Sequence, residues 1–166
     1  TESIPGGITG GTYLVFMKSN GGEAPFSWSV TSGSLPPGLE LTPSGLVRGV
    51  PREAGNYSFG LRVEDSKGRA AGGIFDLFFV DPLKIETPFI KDATLGSEIA
   101  LQLEGSGGTV PYQWEITEGS LPEGFLLDLE GNLSGSAQTK ENIRILINLT
   151  DSAGLSVEKE ISFNLL

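Results

Sequence analysis

The sequence predicts an all-β protein made of two tandem β-sandwiches of about seven strands each. Three observations carry this. One stretch recurs without a gap. Pro25-Phe26-Ser27-Trp28-Ser29-Val30, continued by Gly33-Ser34-Leu35-Pro36-Pro37-Gly38-Leu39, returns 86 positions later as Pro111-Tyr112-Gln113-Trp114-Glu115-Ile116 and Gly119-Ser120-Leu121-Pro122-Glu123-Gly124-Phe125. Apolar residues alternate with period two, most clearly at Tyr57, Phe59, Leu61 and Val63, matched by Ile143, Ile145, Ile147 and Leu149. Finally, 24 Gly and 10 Pro in 166 residues suit a chain with many tight turns, and an apolar share of 38% is enough for two small cores. The offset places the domains at 1–81 and 82–166. The joint at Val80-Asp81-Pro82-Leu83 is too short and stiff to act as a free coil.

The elements follow in order. Thr1 to Gly11 is Gly-rich and short of strand signals apart from Ile4 and Ile8. The second copy opens instead with Pro82-Leu83-Lys84-Ile85-Glu86, which reads as a strand. The first strand of copy one is therefore expected to be short or missing. Since Thr1 is not an initiator Met, the chain reads as an excised fragment or a processed product. Thr12 to Ser19 reads as a strand with Tyr13, Val15 and Met17 on one face, where copy two has Ile99, Leu101 and Leu103. Gly21-Gly22 and Gly107-Gly108 turn into the recurrent stretch. There Phe26, Trp28 and Val30 alternate with Ser27 and Ser29, which makes a half-buried strand and turns the tryptophan into the core. A tryptophan that stacked on a sugar would be expected on the outward face or a loop.

Leu35-Pro36-Pro37-Gly38-Leu39 cannot be helical, because its prolines lack amide donors. It is expected to cross between sheets, with Gly38 and Gly124 in turns that a side chain would hinder. Short strands follow at 40–42 and 46–49. The long alternation after Gly55 ends in Asp65-Ser66-Lys67-Gly68, matched by Asp151-Ser152-Ala153-Gly154, in which the aspartate caps local amides. The last strand carries Phe75, Leu77 and Phe79, then Ile161, Phe163 and Leu165. Seven short strands with turn signals every 8–12 residues are the pattern of an immunoglobulin-like sandwich.

In combination these motifs are family-specific. Pro-Phe-Ser-Trp-Ser-Val, then Gly-Ser-Leu-Pro-Pro-Gly-Leu, then Gly45-x-x-x-Gly49, then Asp65-Ser66-x-Gly68 resembles the He_PIG family of immunoglobulin-like modules, related to dystroglycan-type cadherin-like domains. The resemblance covers nearly the whole chain in two copies. The second copy departs at Glu123 and Ala137, where the first has Pro37 and Pro51. The resemblance implies tandem modules of large bacterial extracellular or surface proteins, acting in cell adhesion or as spacers. It also implies partners among neighbouring modules of the same protein, with another surface protein or a glycan as further partners.

Several chemistries are excluded. The chain has no His and no Cys, so His-based triads, thiol nucleophiles and the usual zinc sites are absent. No Gly-rich stretch leads from a strand into a helix, which argues against phosphate cradling. No catalytic or cofactor-binding residues are assigned, and the expectation is a non-enzyme. The net charge is −10, and 13 of the 21 acidic residues fall after Asp81. Such a field repels nucleic acid and anionic membranes, although solubility alone accounts for it. No apolar run is long enough to span a membrane. Lys18, the only lysine on a clear strand, falls on a polar face and is a weak basis for a Lys–Asn crosslink. Sequons occur at Asn56, Asn132 and Asn148.

Two candidate sites remain. Cadherin-like modules place calcium at domain junctions, and Asp81, Glu53 and Asp151 are the acidic residues that an immunoglobulin topology would direct there. The competing reading makes Asp151 a turn residue and Asp81 a linker residue, and the fuller acidic motifs of calcium-binding cadherins are missing. The second candidate is an interface patch in copy one. Alternation turns Leu14, Phe16, Ile74, Phe78 and Val80 outward, where copy two has the mostly polar Ala100, Gln102, Glu160, Asn164 and Leu166. The competing reading places them on two different sheets. The function expected from these readings is a non-enzymatic spacer or adhesion unit. The alternative is an accessory glycan-binding module of a secreted enzyme.

Overall fold

The structure is a computed structural model that describes residues 2–87 and 89–166, except for the side chains of Glu2 and Ser3. It divides into two compact units, Thr1–Asp81 and Pro82–Leu166. In chain order the first unit has strands β1 (Glu2–Ser3), β2 (Gly7–Ile8), β3 (Tyr13–Phe16), β4 (Ser27–Gly33), β5 (Leu39–Leu41), β6 (Leu46–Gly49), β7 (Gly55–Glu64) and β8 (Ala70–Val80). The second has β9 (Lys84–Ile85), β10 (Glu98–Gln102), β11 (Gly105–Ser106), β12 (Gln113–Glu118), β13 (Phe125–Leu127), β14 (Asn132–Ser136), β15 (Glu141–Thr150) and β16 (Ser156–Leu165).

In the first unit one sheet runs β1-β8-β7-β4, with β2 also paired to β8, and the other runs β3-β6-β5. In the second the corresponding sheets are β12-β15-β16 and β10-β14-β13, with β9 and β11 as a separate ribbon. Each unit has its own core, filled from both sheets. Tyr13 and Val47 meet Trp28, Phe59, Leu61, Leu77 and Phe79 in the first. Leu133 meets Trp114, Ile145, Ile147, Leu149 and Phe163 in the second. Both tryptophans are buried on the inward face, where period-two alternation puts them.

The recurrent motif holds the two sheets together. The Trp28 amide donates to the Pro43 carbonyl at 2.9 Å, and the Trp114 amide donates to the Leu129 carbonyl at 3.0 Å. In each case a strand of one sheet is thereby tied to a turn of the other. The Leu-Pro segment does cross between sheets, from β4 to β5 and from β12 to β13. A register shift falls at the same place in both copies, between Val30 and Ser32 and between Ile116 and Glu118, just ahead of the crossing.

The amino-terminal edge is more ordered than its composition implies. β1 and β2 pair in parallel with β8, at Phe75–Asp76 and at Phe79–Val80, and they flank Pro5 and Gly6. Ile4 is buried between them. A single parallel bridge, Ala93 to Leu165, is the counterpart in the second unit.

Candidate functional site

The aspartate of each Asp-Ser-x-Gly turn is the most heavily used polar group in its unit. Asp65 Oδ1 accepts from the Lys67 and Arg69 amides, both at 2.9 Å. Its Oδ2 accepts from the Glu23 amide at 3.1 Å and from Arg69 Nε at 2.8 Å. Asp151 repeats this with the Ala153 and Leu155 amides at 2.9 and 2.8 Å on Oδ1 and the Thr109 amide at 2.8 Å on Oδ2. Each aspartate therefore shapes its own hairpin and also anchors the loop that carries the preceding Gly-Gly pair. Both are buried as residues. Only the first copy adds a guanidinium, because Leu155 stands where Arg69 does.

Burial pushes the Asp65 carboxyl up, but the Arg69 side chain and the Glu23, Arg69 and Lys67 amides outweigh it and hold it at about 2, below its ordinary 3.8. Burial likewise works against the Asp151 carboxylate, and the Thr109, Leu155, Ala153 and Gly154 amides lower its pKa on balance. A carboxyl whose pKa is depressed on folding stabilises the fold fully above its unfolded value, and that contribution is lost as pH falls towards the folded value. The first unit is thus expected to keep its Tm down to about pH 4 and to lose stability steadily towards pH 2. Asp65→Asn should flatten this acid limb while lowering the Tm at pH 7. Thermal melts followed by circular dichroism across that range check it. An unchanged limb in the variant would show that other carboxyls control acid unfolding.

The sequence-derived metal candidates take separate local roles. Asp81 Oδ1 accepts from Thr9 Oγ1 at 2.6 Å. Glu53 is exposed, and its carbonyl accepts from the Tyr57 hydroxyl at 3.0 Å. Asp151 is held by three backbone amides, as a turn residue would be. Within each unit, among the described residues, no three acidic side chains converge on a common point.

The outward apolar residues divide between two faces. Leu14 and Phe16, 58% and 61% exposed, lie on β3. Ile74 and Phe78 are also exposed but lie on β8, in the opposite sheet, and Val80 is half-buried where β2 ends against it. Alternation decides in or out relative to a strand's own sheet and is blind to which sheet that is. Asn56 and Asn132 are exposed, whereas Asn148 is buried and donates to Glu115 Oε1 at 3.0 Å. One feature has only a faint sequence signal, a cavity of about 550 Å³ in the first unit beside Phe26, Trp28 and Gly72-Gly73. Its one clue was the replacement of Glu158-Lys159 by Gly72-Gly73 at the 86-residue offset.

Comparison with known proteins gives the wider frame. No curated protein sequence matches. Among solved structures, extracellular domains 3–5 of Drosophila OTK align over 100% of the chain and 59% of that chain, with a TM-score of 0.63 and 12% identity. The insect immune protein hemolin aligns over 99% and 45%, with a TM-score of 0.60 and 12% identity. Mouse cadherin-23 EC22-24 aligns over 99% and 62%, with a TM-score of 0.51 and 18% identity. The chain thus spans less than two thirds of each of these structures. At such identities the likeness concerns the fold, which is shared with immunoglobulin and cadherin domains. The family described as "Putative Ig domain" matches residues 3–77 and again 81–165. With nearly every residue covered and the tryptophan, crossing and aspartate-turn motifs in place twice, the chain belongs to the He_PIG family as two tandem immunoglobulin-like domains.

Proposed function

We propose that the chain is a non-enzymatic spacer and adhesion segment of a larger extracellular or cell-surface protein, with neighbouring modules as its first partners. One observation supports this reading above the rest: the residues that recur between the copies are consumed by folding. Both tryptophans are buried, and both turn aspartates are saturated by amides and, in one copy, a guanidinium. What is repeated is therefore a scaffold that can be strung in series. The extracellular character of the immunoglobulin and cadherin domains it resembles supports the location. Among the described residues no helix is long and apolar enough to cross a membrane.

Single-molecule stretching of the chain between its ends is expected to show two separate unfolding events. Each should lengthen the chain by at most roughly 270–310 Å, the extended reach of one unit. The pattern should be the same in millimolar calcium and in chelator, since Asp151 serves its turn. One merged event would sink the series-spacer reading. Forces that rise with calcium would instead mean that the chain binds the ion. Saturable binding to a polysaccharide panel would transfer the role to glycan recognition.

A further inference from the structure

The six asparagines of the chain differ in what holds their backbone. Asn56, Asn132, Asn142, Asn148 and Asn164 lie within β7, β14, β15 and β16. Each is followed by a bulky residue: Tyr57, Leu133, Ile143, Leu149 and Leu165. Asn20 lies in no strand, is exposed, and is followed by Gly21. Among the described residues neither the Asn20 carboxamide nor the Gly21 amide has a hydrogen-bond partner. The Gly107 amide is equally unbonded in the second unit, although β9 pairs with β11 right up to Ser106. The free amide therefore belongs to the loop itself, whatever runs alongside it.

The far end of this loop is held firmly. A Cβ built on Gly22 would stand 2.9 Å from Phe26 Cε1 and 3.4 Å from Asp65 Cβ, so the backbone there lies tight against both. The Glu23 amide donates to Asp65 Oδ2 at 3.1 Å, and the Glu23 carbonyl accepts from the Ser66 amide at 2.9 Å. The Glu23 carboxylate meets Arg69 Nη2 at 3.2 Å. A short loop thus joins an unrestrained Asn-Gly bond to the carboxylate that shapes the hairpin.

We propose that Asn20-Gly21 is a site of spontaneous deamidation, and that its isoaspartate product loosens the hold of Asp65 on this loop. The Gly21 nitrogen attacks Asn20 Cγ. A new C–N bond forms, and the side-chain nitrogen leaves as ammonia with the proton that the Gly21 amide gives up. The five-membered succinimide that results takes up water. Opening at its backbone carbonyl gives isoaspartate, and opening at the other carbonyl gives aspartate. Glycine favours the attack, because it has no Cβ to hinder the rotation that brings its nitrogen onto Cγ. Isoaspartate sends the main chain through the side-chain carbon and adds one atom between residues 20 and 21. The lengthened chain no longer matches the span from β3 to Glu23, so the Glu23 amide is drawn off Asp65. The second unit escapes this chemistry, since Ser106 stands at the matching position.

The test is to age the full chain at mildly alkaline pH and map its peptides by mass spectrometry. Asn20 should convert about tenfold faster, or more, than any of the other five asparagines. In the aged chain the Tm of the first unit should fall by about 4–8 °C through loss of one hydrogen bond to a carboxylate. The Glu23 amide, followed by hydrogen exchange, should exchange about tenfold faster. Asn20→Gln, aged alongside, should show none of this. Asn20→Asp brings the new charge without the extra backbone atom, and should keep the Tm of the fresh chain. An Asn20 that stays intact as long as the strand asparagines overturns the proposal. So does isoaspartate that leaves both readouts unchanged. An equal fall in Tm with Asn20→Asp overturns it too, because charge and not chain length would then be responsible.

Discussion

Replacing Trp114 with alanine is expected to destabilise the second unit by about 3–5 kcal/mol, the usual cost of emptying a large aromatic site in a core. Trp114 is 3% exposed and packs in a core that contains Ile145, Ile147, Leu149 and Leu133. It also tethers two sheets through its backbone, so the walls around the vacated site are held apart and cannot collapse fully. For a domain of this size each kcal/mol moves the Tm by about 4–8 °C, so a fall of well over 10 °C is expected. A domain of ordinary stability, about 5–15 kcal/mol, would lose a large part of its margin. Trp28→Ala should act alike on the first unit, by the lower end of the range, because Trp28 already borders the cavity of that unit. Urea titration followed by circular dichroism measures both. A loss below about 1 kcal/mol would mean that the ring is not the anchor its burial implies.

The second large effect is expected at a glycine. Gly131 has φ of 87°, and a Cβ built on it would stand 2.7 Å from Trp114 Cδ1 and Nε1. Alanine there has both to adopt a left-handed backbone and to push the indole aside. The first costs about 1–2 kcal/mol and the second about 1–3 kcal/mol. Gly131→Ala should therefore cost about 2–5 kcal/mol. Gly154→Ala is the control: its φ is 85°, but nothing lies within 4 Å of the added carbon. It should show the backbone cost alone. In a Trp114→Ala background the two glycine variants should converge, because the clash has lost its partner. If Gly131→Ala remains as mild as Gly154→Ala in the native background, the tryptophan–glycine contact does not constrain the turn. Gly45, with φ of 88° over Trp28, repeats the arrangement in the first unit.

These two residues also show how much of the motif is legible in the sequence. Trp114 and Gly131 stand 17 positions apart, as do Trp28 and Gly45. Alternation identified each tryptophan as inward, and Gly45 falls between the short strands expected at 40–42 and 46–49. That the turn lies edge-on to the indole was invisible, because the contact joins two sheets. Asp65 and Asp151 followed the same course. Their role in their own hairpins was evident from Asp-Ser-x-Gly, since those amides lie two and four residues on. Their grip on Glu23 and Thr109, 42 positions upstream, needed the folded chain.

By itself the sequence determined the all-β class, the repeat, the inward tryptophans, the sheet crossing and the turn aspartates. All of these rest on short-range alternation, on proline and glycine chemistry, or on the comparison of one copy with the other. Tertiary structure alone decided which sheet each outward residue belongs to, separating Leu14 and Phe16 from Ile74 and Phe78. It alone buried Asn148, and it drew the amino terminus onto β8 through two short parallel pairings. It showed the cavity beside Trp28, of which the sequence held only the Gly72-Gly73 pair as a clue. The physical reason is common to them all. A strand's alternation specifies two faces, but the neighbour each face meets is set by pairing between segments far apart in the chain, where closure and register are decided together.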